Sequence, residues 1–248
     1  MIGGSKVAVV GVVFARAGSK GLPGKNLLPL GGIPLVGLAV RTGLAVPEVS
    51  TVYCSSDSEE ILRVARDFGA STPFIRPKEL SSDSSPELLS WKHLAQHLIA
   101  SGTDPQDIIL SLPPTAPLRA VIDVERVIAK LRSGSGDIVI TYSEAAQNPW
   151  FTMITVDKAG SVNSLHPPGE KTITRRQDAP KVFTIVPVAY ATTIRYVLET
   201  ESLFSGNVLG VEVPRERAVD IDTEFDFRVA EAIFERPFAS TSENNAPV

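Results

Sequence analysis

The run Val7-Ala8-Val9-Val10-Gly11-Val12-Val13-Phe14 constrains the fold of this chain more than any other segment. It is apolar throughout and rich in β-branched side chains, with no polar face to turn to water. That suits a central strand of a parallel sheet, covered on both sides. Parallel neighbours need crossover connections, so helices are expected between the strands. The run is far short of the ~20 apolar residues that span a bilayer, and Arg16, Gly18 and Lys20 follow it at once. A cytoplasmic protein with no membrane partner is the expectation.

The segments that follow alternate as the first strand requires. A helix is predicted after Pro34, with Leu35, Leu38, Ala39, Thr42 and Leu44 on its path, then a strand over Val49 to Ser55. Ser58 ahead of Glu59 and Glu60 reads as a capped helix start, ended by Gly69 before a short strand to Ile75. A helix near Pro86 to Ala100, a strand Asp107 to Leu112, a helix from about Ile122 to Leu131 and a strand Asp137 to Tyr142 continue the pattern. Strand and helix in turn predict a mostly parallel α/β sheet with helices on both faces, whose ligands gather beyond the carboxyl ends of the strands.

Between about Asn148 and Ala191 prolines interrupt short β-like pieces, and Arg175-Arg176 forms a basic pair. The chain is therefore read as one domain over 1–236, with an excursion over about 148–206 and a frayed tail at 237–248. Val208 to Val213 is expected to bring it back to the sheet, and Glu224 to Phe234 to close it as a helix. A formal net charge of -4 over 248 residues lacks the basic footprint of a nucleic-acid partner, so any anion site must be local. Cys54, the sole cysteine, lies in an apolar strand and reads as a buried structural thiol.

The local anion site is legible in Ala15-Arg16-Ala17-Gly18-Ser19-Lys20-Gly21-Leu22-Pro23-Gly24-Lys25-Asn26, directly after the first strand. Glycines let backbone N–H groups wrap a ligand, and Arg16, Lys20 and Lys25 supply the charge that a triphosphate demands. The spacing matches neither the Walker loop nor the dinucleotide fingerprint. Asp220 and Asp222 flank a single isoleucine, so in an extended segment they project to one side and suit a hard cation such as Mg2+. The competing reading makes them caps of the helix near Glu224. His93, His97 and His166 are too scattered for zinc, and no serine sits in a nucleophile elbow.

These residues carry a resemblance to the acylneuraminate cytidylyltransferases, whose opening motif is similar to Ala-Arg-x-x-Ser-Lys-Gly-x-Pro-x-Lys-Asn. It continues through Ser55-Ser56-Asp57, Arg76-Pro77-Lys78-Glu79-Leu80, Pro114-Thr115-Ala116-Pro117-Leu118-Arg119, Arg176-Gln177-Asp178-Ala179-Pro180 and Asp220-Ile221-Asp222-Thr223. The resemblance implies a three-layer, Rossmann-like nucleotidyltransferase fold and transfer of CMP from CTP to an acidic keto-sugar, with release of pyrophosphate. It implies Arg16, Lys25 and Asp222 as catalytic, and nucleotide contacts from Arg16, Gly18, Ser19, Lys20, Gly21, Lys25, Asn26 and Arg76, the last two towards cytosine. Acceptor contacts fall to Thr115, Arg176, Gln177, Tyr190 and Phe204, with Arg176 and Phe204 serving a homodimer partner's site. Asp220 and Asp222 would hold Mg2+.

The departures concern the acceptor. Pro113 stands where relatives usually present glutamine, Phe183 where tyrosine is common, Val186-Pro187 in place of Asn-Gly, and Trp150-Phe151 where some relatives have lysine. Proline can donate no hydrogen bond, so a different small acid such as a phosphonate is the rival acceptor. Pro149-Trp150 also reads as core packing. Two further readings are a catalytically idle nucleotide-binding protein, against which Lys25, Asp220 and Asp222 speak, and a sugar-1-phosphate nucleotidyltransferase, which usually carries a Gly-Thr-Arg type of loop.

Overall fold

The computed structural model describes residues 7–82, 84–165 and 175–237, without the Arg176 side chain. From Val7 the chain runs through β1 (Val9–Phe14), a hairpin of β2 (Pro29–Leu30) and β3 (Ile33–Pro34), α1 (Leu35–Ala45), β4 (Val49–Ser55), α2 (Glu59–Asp67), α3 (Glu87–Ala100), β5 (Ile108–Ser111), α4 (Val121–Arg132) and β6 (Ile138–Glu144). A detached hairpin of β7 (Ile154–Val156) and β8 (Val162–Ser164) follows, then β9 (Phe183–Ile185), β10 (Tyr190–Thr193), α5 (Ile194–Glu199), β11 (Val208–Glu212) and α6 (Glu224–Glu235).

The main sheet has the order β11-β6-β10-β5-β1-β4, with β9 also on β6. β1 lies in parallel between β4 and β5, and β11 pairs in parallel with β6. β10 runs against both β5 and β6. β1 is buried on both faces, as its composition requires. Val9 and Val13 pack into the core shared with α1, α2 and α4, whereas Val10 and Val12 pack with Trp91 and Leu94 of α3 and Ile194 of α5. β5 divides likewise, Ile108 and Leu110 against Ile109. The period of two thus sorts one strand between two helical layers, giving the α/β/α sandwich. Cys54 is fully buried in the first of these cores.

Two differences from the sequence expectation have local causes. No strand reaches Ile75: a single bridge joins Ser71 to Tyr53, and Pro73, which has no N–H to donate, ends the pairing. The chain also rejoins the sheet before Val208, because β9 and β10 both lie along β6 as one antiparallel track with an interruption. There six steps of chain from Ile185 to Ala191 face three from Tyr142 to Val139. The surplus residues include Pro187, and the buried Thr141 side chain fills the gap they leave. Its hydroxyl donates to the Val186 carbonyl at 2.6 Å and accepts the N–H groups of Val188 and Ala189 at 3.2 Å each. Val186 itself packs with Ala116, Val188 and Val213.

The hairpin β2–β3 turns on Gly31 and Gly32, with φ of 58° and 80°, a two-residue turn open mainly to glycine. Phe234 of α6 lies against Gly31, fixing the last helix to the loop after β1. On the other flank Arg217 donates twice to the fully buried Asp123 of α4, at 2.8 Å each. The expected tail beyond 237 and His166 lie outside the described residues.

Candidate active site

β1 ends at Phe14, and the glycine-rich loop leaves the sheet at its carboxyl edge, where Ala15 N–H bonds the Ser55 carbonyl at 3.1 Å. The loop is clasped at three points. Ala17 N–H donates to Asp57 Oδ1 at 2.9 Å, which gives the Ser55-Ser56-Asp57 segment a structural task. The buried Asn26 amide donates to the Arg16 carbonyl at 2.8 Å. Lys25 Nζ donates to the Ile221 carbonyl at 2.7 Å and to Asp222 Oδ1 at 2.9 Å. A side chain at position 21 would put its Cβ 2.3 Å from the Asp222 carbonyl oxygen. Gly21 is therefore required by close approach, and the loop and the aspartate segment are held as one unit.

A cleft of about 590 Å³ opens over this unit. One wall carries Arg16, Ser19, Lys20, Gly21, Lys25 and Asn26; another carries Arg76, Leu80 and a run of serines; Pro113, Pro114 and Thr115 after β5, with Asp222 and Thr223, complete it. Arg76 is buried, its backbone N–H bonded to Ser56 O and its Nε to Ser81 Oγ at 2.9 Å. Burial lowers its pKa from the usual guanidinium value, partly offset by Asp57. A desolvated guanidinium of this kind favours an acceptor-rich planar group.

Asp220 is half-buried beside Thr115, and Ile221 N–H bonds the Thr115 carbonyl at 2.8 Å. Burial raises the Asp220 carboxyl above the usual range, and the like charge of Asp222 adds to it, against a hydrogen bond to Thr115 and the charge of Lys25. The capping alternative is resolved by Thr223, which caps α6 in a reciprocal pair with Asp226. Asp220 and Asp222 are free of that duty. Two oxygen donors, one of them destabilised by burial and like charge, fit a divalent cation that also takes phosphate oxygens. Among the described residues no set of three or more His, Cys, Asp and Glu forms a metal cage.

Gly18 is exposed and outside the cleft lining, and Gln177, Tyr190, Phe204 and Asp220 are also absent from it, Asp220 lying next to the lining residue Thr115. Tyr190 packs against the α3 core, its hydroxyl pushed above the usual range first by burial and then by Glu87 and Asp220. Phe204 is 51% exposed, and the Arg176 side chain lies outside the described residues. Of the departures, Pro113 lines the cleft, whereas Phe183 packs edge-on to Tyr142 at 5.0 Å and Phe151 is exposed. Beneath Pro113, the fully buried Arg119 donates to its carbonyl oxygen, and burial pulls the guanidinium down to about 9. Phe14, Leu80, Ser82, Ser85, Glu87 and Ser90 also face the cleft. Sequence reading misses them; the one signal is the polar run at 81–85, downstream of Arg76.

A cationic glycine-bearing loop after the first strand of a mostly parallel sheet, locked to the Ile221–Asp222 segment beside one cleft, is the arrangement of a nucleotidyltransferase. The sequence matches the family described as cytidylyltransferase over residues 10–183, and the chain belongs to that family. It is 26% identical over 219 residues to the CMP-N,N'-diacetyllegionaminic acid synthase of Campylobacter jejuni, covering 88% of this chain and 92% of that protein. It is 27% identical over 223 residues to the pseudaminic acid cytidylyltransferase of the same species, 90% of this chain and 94% of the other. Among solved structures, a CMP:2-keto-3-deoxy-manno-octonic acid synthetase complexed with CTP superposes with a TM-score of 0.68 at 19% identity, covering 93% of this chain and all of that one. No helix among the described residues is long and apolar enough to cross a membrane.

Proposed function

We propose that the protein transfers CMP from CTP to an acidic keto-sugar of the nonulosonic type, releasing pyrophosphate, and that it works in the cytoplasm as a homodimer with Mg2+. The observation that carries this reading is the lock between Lys25 and the Ile221–Asp222 backbone and side chain. It sets the ammonium and the Asp222 carboxylate together on the cleft wall, with Asp220 two residues away, so that Lys25 faces an α-phosphate there. The relatives named for CMP-sugar synthesis support the acceptor class.

In this reading the triphosphate lies along the loop 15–26, with Arg16, Lys20 and Lys25 drawing off its charge and the Gly21 backbone in close approach. Asp220 and Asp222 hold Mg2+, which supplies further neutralisation of the phosphates when bound. Arg76 and Asn26 face the cytosine. The acceptor hydroxyl attacks the α-phosphorus in line and gives up its proton to solvent; the new P–O bond forms as the bond to the bridging oxygen of the β-phosphate breaks, and pyrophosphate leaves with that electron pair. Because Pro113 faces the cleft without a donor, a smaller acid such as a phosphonate is the second reading for the acceptor.

The test is pyrophosphate release by the purified protein with Mg2+, using CTP, UTP, ATP and GTP against sialic, legionaminic, pseudaminic and 3-deoxy-octulosonic acids and small phosphonates. CTP-dependent release with one nonulosonic acid is the expected result. Turnover of UTP above CTP overturns the nucleotide, and release with a phosphonate alone overturns the acceptor.

A further inference from the structure

The cleft is built for anions, with Arg16, Lys20, Lys25 and Arg76 on its walls, yet it also receives one carboxylate that has nothing to do with the aspartate pair. Glu87 opens α3 directly after Pro86. Its Oε1 accepts the indole N–H of Trp91, one helical turn on, at 3.1 Å. Trp91 is fully buried, and its ring lies 5.3 Å from that of Phe14, at the carboxyl end of β1. Glu87 itself is exposed to the open cleft, and the indole N–H of a rigid aromatic floor sets the direction of its carboxylate. Among the described residues no cationic side chain forms an ion pair with it.

Glu87 lines the same cleft as Arg76, Ser81 and Ser85 and as Lys25, Thr115 and Asp222. Its charge also reaches Arg76 and Tyr190. It therefore shares one cavity with the guanidinium and with the Lys25–Asp222 lock. A carboxylate there repels phosphates and an acidic acceptor alike, so the part of a bound nucleotide that it can hold is an uncharged one that donates hydrogen bonds. When a nucleotide has its phosphates at Lys25 and its base at Arg76, the part lying between is the sugar, and vicinal hydroxyls are the donors it offers.

Resting on the CTP reading above, we propose that Glu87 accepts hydrogen bonds from the ribose 2′ and 3′ hydroxyls and makes the enzyme select ribonucleotides over deoxyribonucleotides. A carboxylate in this role is known chemistry on α/β sheets, where an acidic side chain reads the ribose 2′-hydroxyl. The indole N–H leaves the second carboxylate oxygen and the remaining lone pairs for the diol.

The test is titration calorimetry of CTP and 2′-deoxy-CTP with Mg2+ and no acceptor, on wild type, Glu87→Gln and Glu87→Ala. Glutamine preserves the acceptor for Trp91, so at least one variant keeps the floor intact. Wild type is expected to prefer CTP by about 10- to 100-fold, the worth of a hydrogen bond to a charged group. Both variants should lose that preference by weakening CTP while leaving deoxy-CTP within about threefold. Equal weakening of both nucleotides, or an undiminished preference, overturns the role of Glu87. A wild type that binds UTP but neither cytidine nucleotide overturns the CTP reading itself, a result plainly different from a preference that the variants leave unchanged.

Discussion

At the scale of single residues the site depends on contacts with no slack, and Gly21 is the sharpest case. Alanine there would drive a Cβ to 2.3 Å from the Asp222 backbone oxygen, so the loop and the 220–222 segment must part. Gly21→Ala should lower kcat/KM for CTP by at least about tenfold, since misplacement by an ångström costs up to about 100-fold; an unchanged value in steady-state kinetics would mean the lock is not used. Lys25→Met removes the ammonium that joins Ile221 and Asp222. Loss of a preorganised charge at a developing anion costs about 10²–10³ in kcat; because Lys25 is only 12% exposed and holds the Ile221 carbonyl, the unfolding free energy in urea melts should also fall, by about 1–3 kcal/mol. Cys54 gives the pH dependence: burial pushes its thiol from 9.0 up to about 12. The native state thus binds the proton more tightly than the unfolded chain. Its contribution is full below pH 9 and declines as pH rises from 9 towards 12. In Cys54→Ser, urea melts should show a weaker fall over that window, and wild-type thiol labelling at pH 8 should await unfolding. The loop 15–26 was legible because its charges and glycines are contiguous in sequence. Glu87 was not, because its meaning comes from Trp91 and Phe14 and from the cleft it shares with Arg76 and Lys25, which only the folded chain brings together.

Elements were legible in proportion to how local their causes are. α2 follows from Ser58, whose hydroxyl accepts the Ile61 N–H, and β1 from its unbroken apolar run. The β9–β10 track was not legible, because its direction and interruption depend on a threonine some 45 residues earlier. Thr141 makes a prediction at this scale. Thr141→Val keeps the shape but removes the hydroxyl shared by Val186 O, Val188 N–H and Ala189 N–H in a fully buried place. Unsatisfied buried groups cost about 1–3 kcal/mol each, so chemical denaturation should show a loss of at least about 2 kcal/mol, and Thr141→Ser should recover most of it. Equal stability of the valine and serine variants would mean that the interruption holds its shape without the hydroxyl. Val186 and Pro187 read in sequence as a remodelled acceptor wall; their observed neighbours are this interruption and the small core with Ala116 and Val213.

For the molecule as a whole the unexplained surface lies on the excursion. In β7 and β8, Val156 stands opposite Val162 and Ile154 opposite Ser164, so Ile154, Val156 and Val162 share one face of the hairpin. All three are more than half exposed. Met153 and Leu165 beside them, and Phe183 and Ile185 of β9, add further exposed apolar side chains. An apolar face of this kind on a hairpin marks an interaction surface. Prolines in the sequence announced that the chain departs from the sheet here, but period-two alternation in pieces three residues long is too short to show which face they present. A second copy is the proposed cover, so Val156→Asp combined with Val162→Asp should convert a dimer to a monomer in sedimentation equilibrium by placing like charges opposite each other on that face. The residues assigned to CTP, among them Arg16, Lys25, Asn26 and Arg76, line the cleft within a single copy of the chain. CTP binding by the monomeric variant should therefore stay within about threefold of wild type, while KM for the acceptor rises, because the partner's contribution is lost. A wild type that sediments as a monomer at micromolar concentration would remove the partner from the mechanism and leave acceptor recognition to Thr115 and its neighbours in the cleft.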